Sequence, residues 1–129
     1  MRLLIDTHVF LWAAAETSEL SQEALTSLED PANDVYLSAA VAWEIALKYS
    51  KGQLALPLVP ALYVPSRMRA LGLLELSISR DHALVSADLP PIHADPFDRI
   101  MIAQAQVEGL TFVTRDAHAL RYPVHTLKA

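Results

Sequence analysis

The sequence predicts an α/β fold: a parallel sheet of four to five strands with helices on both faces. Three observations predict it. Short apolar runs rich in strand formers alternate with longer stretches of helical pattern. The stretch "LLIDTH", residues 3–8, is an apolar run that stops at a polar edge, as a buried strand does at a strand-to-helix turn. Of the 8 prolines, most cluster near 57–65 and 90–96, so they punctuate the chain rather than unfold it.

Residues 2–5 read as the first strand, and 7–15 as a helix. A second helix, 21–30, follows Ser21 as its N-cap, and Pro31 with Asn33 marks a turn. "VYLS", 35–38, is a strand, and "AAVAWEIALKYSK", 39–51, is a helix closed by Gly52. Pro57, Pro60 and Pro65 break the next stretch into short pieces before "SRMRALG", a helix ending at Gly72. A strand at 73–78 and a short helix from Ser79 to Ala87 follow, then a loop opened by Pro90 and Pro91. "DPFDRIMIAQAQVEG", 95–109, has Asp at the N-cap, Pro at the first helical position and Gly at the end. A strand at 110–114, a helical turn at 116–120 and a last strand, "VHTL", complete the chain. Right-handed crossovers place the ends of these strands along one edge.

Composition narrows the function. A chain of 129 residues, 53% of them hydrophobic, suits one domain, 1–129, that buries about two-thirds of its unfolded surface. With no cysteine there is neither a disulfide framework nor a thiolate metal site, which fits a cytoplasmic protein. Nothing near the N-terminus reads as a signal peptide, and no uncharged stretch is long enough for a membrane span. The net charge of −5 gives no general attraction to nucleic acid. Any nucleic-acid chemistry must rest on local features or bound cations.

Acids stand where ligands bind in such folds. Asp6 ends the first strand, and Asp116 follows "LTFVTR" in the same way, so two strands deliver carboxylates to one edge. Glu44 interrupts an apolar run, with Ala40, Val41 and Leu47 on its own helical face. Asp98 heads a stripe of Met101, Ile102 and Ala105. Each has a plain structural reading as well: Asp6 and Asp116 as helix caps, Glu44 as the partner of Lys48, Asp98 as a capping-box acid behind Asp95. Asp95 itself reads best as the N-cap before Pro96. Taken together the acids share one volume, and like charges so close repel unless cations lie between them. Carboxylates are hard oxygen ligands suited to Mg²⁺ or Mn²⁺. His8, His82, His93, His118 and His125 show no zinc-ligand spacing and read as structural or peripheral. Thr7, Ser38 and Thr114 read as hydrogen-bond donors to the acids. "RMR", 67–69, is either a solvated helix face or a basic patch for RNA.

The motifs "LLIDTHVFLW", "SAAVAWEIALKYSKGQLALP", "HADPFDRIMIAQA" and "GLTFVTRDAHALRYPV" occur in this order along nearly the whole chain. In them the chain resembles PIN-domain ribonucleases, specifically the VapC toxins of bacterial toxin–antitoxin pairs. The resemblance implies a PIN-like three-layer fold, a twisted and mostly parallel sheet with an acidic pocket at its edge. It implies Mg²⁺- or Mn²⁺-dependent endonucleolytic cleavage of RNA by metal-activated water, with Asp6, Glu44, Asp98 and Asp116 as the catalytic and metal-binding acids. It also implies a homodimer held inactive by a VapB-like antitoxin whose helical tail lies in a groove. The helices "VFLWAAAE" and "AVAWEIAL" are more apolar than one buried face needs, and they are the expected walls of that groove. Two other readings remain open: a metal-dependent phosphatase or phosphotransfer domain, and a non-catalytic binding module on the same fold.

Overall fold

Leu3, Leu4 and Ile5 are all fully buried. Successive strand residues point to opposite faces, so both faces of this strand are covered by helices. The strand is β1 (Arg2–Ile5), the centre of the computed structural model, which describes residues 1–129. It pairs in parallel with β2 (Asp34–Ser38) on one side and β4 (Thr111–Thr114) on the other. Beyond these lie β3 (Leu74–Leu76) beside β2 and β5 (Thr126–Lys128) beside β4, both parallel. The order β3-β2-β1-β4-β5 is that of a doubly wound sheet, and every pairing is parallel.

Six helices link the strands: α1 (Thr7–Ala15), α2 (Gln22–Glu29), α3 (Ala39–Ser50), α4 (Pro60–Leu71), α5 (Arg80–Asp88) and α6 (Pro96–Glu108). Their ends follow the expected chemistry. Asp6, Ser21, Ser38, Ser79 and Asp95 each cap a helix through the side chain. Gly72 and Gly109 close α4 and α6 in the left-handed conformation, at φ 67° and 68°.

The chain departs from expectation at α4. The helix begins at Pro60 and runs through Pro65 instead of being broken by it. Pro60 occupies the first helical position, where a missing N–H costs nothing. Pro65 leaves the carbonyl of exposed Ala61 without its helical donor, while the adjacent Tyr63 and Val64 are buried. Core burial therefore outweighs the local penalty. The outer strands are also shifted: β3 keeps only three of the six residues expected at 73–78, and β5 is displaced to 126–128.

The strand order makes a stability prediction. Leu4→Ala, in the central strand, costs about 2–5 kcal/mol of unfolding free energy, the usual range for a buried leucine. Leu74→Ala, at the half-exposed edge, costs under about 1 kcal/mol. Denaturant melts of both variants measure the difference; equal losses would contradict this placement of the core.

Candidate active site

In a sheet of order β3-β2-β1-β4-β5 the winding direction reverses between β1 and β4. Crevices at the carboxyl ends of such strands are where open α/β sheets bind ligands. Asp6 and Asp116 both stand there. The N–H of Asp6 donates to the carbonyl of Val113 at 3.2 Å, which extends the β1–β4 ladder up to the acid itself.

Asp6 is both a cap and a pocket acid. Its Oδ1 accepts from the backbone N–H of Val9 at 2.8 Å, and its Oδ2 accepts from the Thr114 hydroxyl at 2.6 Å. The residue is 6% exposed. Burial pushes its carboxyl above the ordinary value, and the bonds from Thr114 and Val9 only partly offset that. Thr114 serves a second acid, because its hydroxyl also accepts from the backbone N–H of Asp116 at 3.0 Å.

Glu44 enters from α3 and is equally buried. Its Oε1 accepts from the Thr7 hydroxyl at 2.6 Å, and its Oε2 meets Lys48 Nζ at 2.5 Å. The Lys48 pair expected from the spacing is real, yet it satisfies only one oxygen of a carboxylate whose other oxygen is held inside. Lys48 is raised above its usual range, first by this hydrogen bond.

Asp98 lies in the first turn of α6 behind Asp95, which caps the helix by accepting from the Phe97 N–H at 2.8 Å. Asp98 does not complete a capping box, since the Asp95 N–H donates instead to His93 Nδ1 at 3.1 Å. Asp98 is pushed up to about 7, by burial first and then by the negative charges of Asp95, Asp6 and Glu44, with His93 opposing. That mutual repulsion places these acids in one neighbourhood. Asp116 differs. Burial raises it, but bonds from the His118 backbone N–H and from the rings of His93 and His118 outweigh burial and hold it below the ordinary value.

His93 is not peripheral, contrary to the reading from spacing. Its Nε2 contacts both Asp116 Oδ2 and, at 3.1 Å, Asp98 Oδ2. His118 Nδ1 lies 3.0 Å from Asp116 Oδ1, and donor atoms of His93, Asp116 and His118 all fall within 4.8 Å of one another. That proximity resembles a metal site, but the hydrogen bonds assign His93 another role. Its Nδ1 accepts from a backbone N–H, so the ring proton sits on Nε2, where two carboxylates accept it. A metal-bound imidazole has the opposite arrangement, donating through its free nitrogen. His93 is therefore a proton-bearing clasp between α6 and the β4 edge. The loop that carries it is fixed by Arg99, which donates to the carbonyls of Ser86, Leu89, Pro90 and His93, and by the Tyr122 hydroxyl. His82 does fit the structural reading: it is buried and completes the capping box of α5.

Away from the acids, an apolar groove of about 680 Å³ runs between α3 and α4, with Ala42, Val64, Pro65, Met68 and Leu73 among its walls. Of the two helices expected to form it, α3 does so. The apolar surplus of α1 instead packs half-buried against the core, through Leu11, Trp12, Ala13 and Ala14.

A family model described as the PIN domain matches residues 3–124. The chain belongs to the PIN-domain family. This PIN domain is 30% identical over 118 residues to Ribonuclease VapC22 of Mycobacterium tuberculosis, across 88% of this chain and 86% of that relative. It is 45% identical over 60 residues to Ribonuclease VapC16 of the same organism; that match spans 46% of this chain and 43% of the relative's length. Its fold is shared with the structure of VapBC2 from Rickettsia felis bound to a DNA fragment from the promoter. The TM-score is 0.74 at 16% identity, over 100% of this chain and 99% of that one. The PIN-like α/β fold expected from the sequence is thus the fold observed. No helix is long and apolar enough to cross a membrane.

The acid cluster makes stability depend on pH in the absence of metal. Asp98 holds its proton up to about 7 in the folded chain, against about 3.9 when unfolded. The folded state binds more protons across that window, so its stability falls as pH rises from about 4 to about 7 and levels off above. The loss is at most a few kcal/mol, since each tenfold change in proton affinity is worth about 1.4 kcal/mol. Asp116 works oppositely, and its contribution disappears below about pH 4. Melting in chelator between about pH 4.5 and 8 spans this window and reads the slope, to which raised Asp6 adds in the same direction, and Asp98→Asn reduces it. An Asp98→Asn protein with the slope of the parent would contradict the cluster.

Proposed function

We propose that residues 1–129 form a single PIN domain that acts as the toxin of a type II toxin–antitoxin pair, a Mg²⁺- or Mn²⁺-dependent endoribonuclease in the cytoplasm. The observation that carries this reading is that His93 joins Asp98 to Asp116 while Asp98 feels the charges of Asp6 and Glu44, at the edge where β1 and β4 part. The carboxyls of Asp6 and Asp98 are raised, by burial first, and Asp98 also feels the charge of its neighbours, which supports a functional site where a cation would relieve that charge. The donor set is all oxygen, so a hard divalent ion fits it. Bound there, Mg²⁺ or Mn²⁺ supplies Lewis acidity, activating water and neutralising charge on a phosphodiester.

The chain's own residues do the rest. Asp6, Glu44, Asp98 and Asp116 would hold the ion. Thr114 and Thr7 fix oxygens of Asp6 and Glu44, so the donors are aimed before the ion arrives. Asp95 caps α6 and adds negative charge beside Asp98 without being a direct ligand. His93 keeps Asp98 and Asp116 together.

The relatives' names support the activity: VapC22 and VapC16 are ribonucleases. A VapB-like antitoxin is the proposed partner, and a homodimer the proposed assembly. An amphipathic antitoxin helix suits the apolar groove between α3 and α4.

Purified protein with Mn²⁺ cleaves single-stranded RNA, and chelator stops it. Asp98→Asn loses more activity than the roughly 10–100-fold typical of residues that merely support a metal ligand. Asp95→Asn keeps most activity, because Asn caps a helix about as well as Asp. In cells, the wild type arrests growth and co-expressed antitoxin relieves the arrest. A dead Asp95→Asn with an active Asp98→Asn reverses the ligand assignment; soluble wild-type protein inert on RNA in Mn²⁺ rejects the ribonuclease.

A further inference from the structure

A chain of net charge −5 gains little general attraction to RNA, so contacts that need no charge matter more. The basic residues within four positions of the four acids are already engaged. Arg2 donates to the Glu108 carbonyl and lies over the Tyr36 ring. Lys48 pairs with Glu44, and Arg99 is occupied by the carbonyls of the loop before α6. Arg115 reaches the carbonyls of Glu19 and Ala129 and covers the Trp12 ring at 4.2 Å. Few N–H donors of these side chains are therefore left over to bond a phosphate.

What the rim does offer is an aromatic surface. Trp43 precedes Glu44 on α3, and Phe97 precedes Asp98 on α6. Their rings meet edge-on, with centroids 5.0 Å apart and planes at 80°. The contact joins the two helices that deliver Glu44 and Asp98 and fixes the indole in place. Yet Trp43 remains 57% exposed, an unusual state for the largest apolar side chain in a protein. The other indole differs: Trp12 is half-buried and flanked by Arg115 and His8.

We propose that Trp43, braced by Phe97, is a stacking platform for one unpaired nucleobase of single-stranded RNA, next to the phosphodiester presented to the acids. This rests on the ribonuclease reading for the identity of the ligand and adds how it is held. Stacking suits this chain because it needs no positive charge and tolerates any base, every base having a π-face. It also makes the site select single strands, since paired bases keep their faces within the helix. The exposed ring of Trp43 is thus a binding residue; Asp6, Glu44, Asp98 and Asp116 hold the ion.

The test pairs protein and RNA changes. Trp12→Phe leaves Trp43 as the sole indole, and its emission is titrated with a short single-stranded RNA in Ca²⁺, then with the duplex. Saturable quenching by the single strand alone is expected. Trp43→Ala weakens RNA binding about 5- to 150-fold, the range for losing one base–aromatic stack. Trp43→Phe recovers most of it, and the Mn²⁺-induced rise in melting temperature stays unchanged in both. An abasic position scanned along the RNA weakens wild-type binding at one site and leaves Trp43→Ala binding unaffected there. Unquenched emission, or additive losses from the abasic site and Trp43→Ala, overturns the proposal. So does quenching by the antitoxin but not by RNA, which makes Trp43 a protein interface. Cleavage by wild type is scored separately: RNA that quenches Trp43 but is never cut retains the platform and removes the ribonuclease.

Discussion

The hydroxyl of Thr114 holds the edge of this sheet together. It donates to Asp6 at the end of β1 and accepts from the backbone N–H of Asp116 beyond β4, so one buried oxygen sets the spacing of two acids 110 positions apart in sequence. The arrangement exists only because β1 and β4 are neighbours, which the doubly wound order provides. Thr7 makes a simpler tie between α1 and α3, by donating to Glu44. A buried carboxylate without such donors costs more than a small domain can bear. The two threonines are therefore what lets the fold keep acids in its interior.

Those bonds offset burial only in part and leave the repulsion between the acids in place. The carboxyls of Asp6 and Asp98 stay raised, by burial first and by neighbouring negative charge second. His93 reduces it by placing one ring proton between Asp98 and Asp116, and Lys48 by pairing with Glu44. The chain thus keeps its buried acids close by surrounding them with hydrogen-bond donors from Thr7, Thr114, His93 and Lys48. The aromatic pair Trp43–Phe97 belongs to the same arrangement: it packs α3 on α6 beside the acids and keeps an uncharged face at the rim.

Much of this was legible in the sequence because the signals were local. A continuous apolar run ending in Asp gave β1 and its edge acid. Glu44 stood out by its apolar helical neighbours, and the Asp95-Pro96 start and Gly109 end bounded α6. Other features depended on distant partners. His93 and Asp116 are 23 residues apart, and no spacing rule joins them; the clue available was the Pro-Pro loop whose carbonyls Arg99 gathers. The continuity of α4 through Pro65 was hidden because local propensity forbids it and only the burial of Tyr63 and Val64 overrides it. The limits of β3 and β5 were blurred because edge strands are set by their neighbour's register, not by their own pattern.

The central claim is that carboxylates from four separate elements form one cation site. Paramagnetic broadening tests it most directly. Substoichiometric Mn²⁺ is titrated into uniformly labelled protein and the amide spectrum followed. The account predicts that signals at Asp6–Thr7, around Glu44, around Asp98 and at Asp116 fade together at the same metal ratio, while those at the opposite end of the sheet, around Arg2, Asn33 and Glu108, persist. Broadening restricted to His118 and Asp116, or spread evenly over the acidic surface, would contradict it.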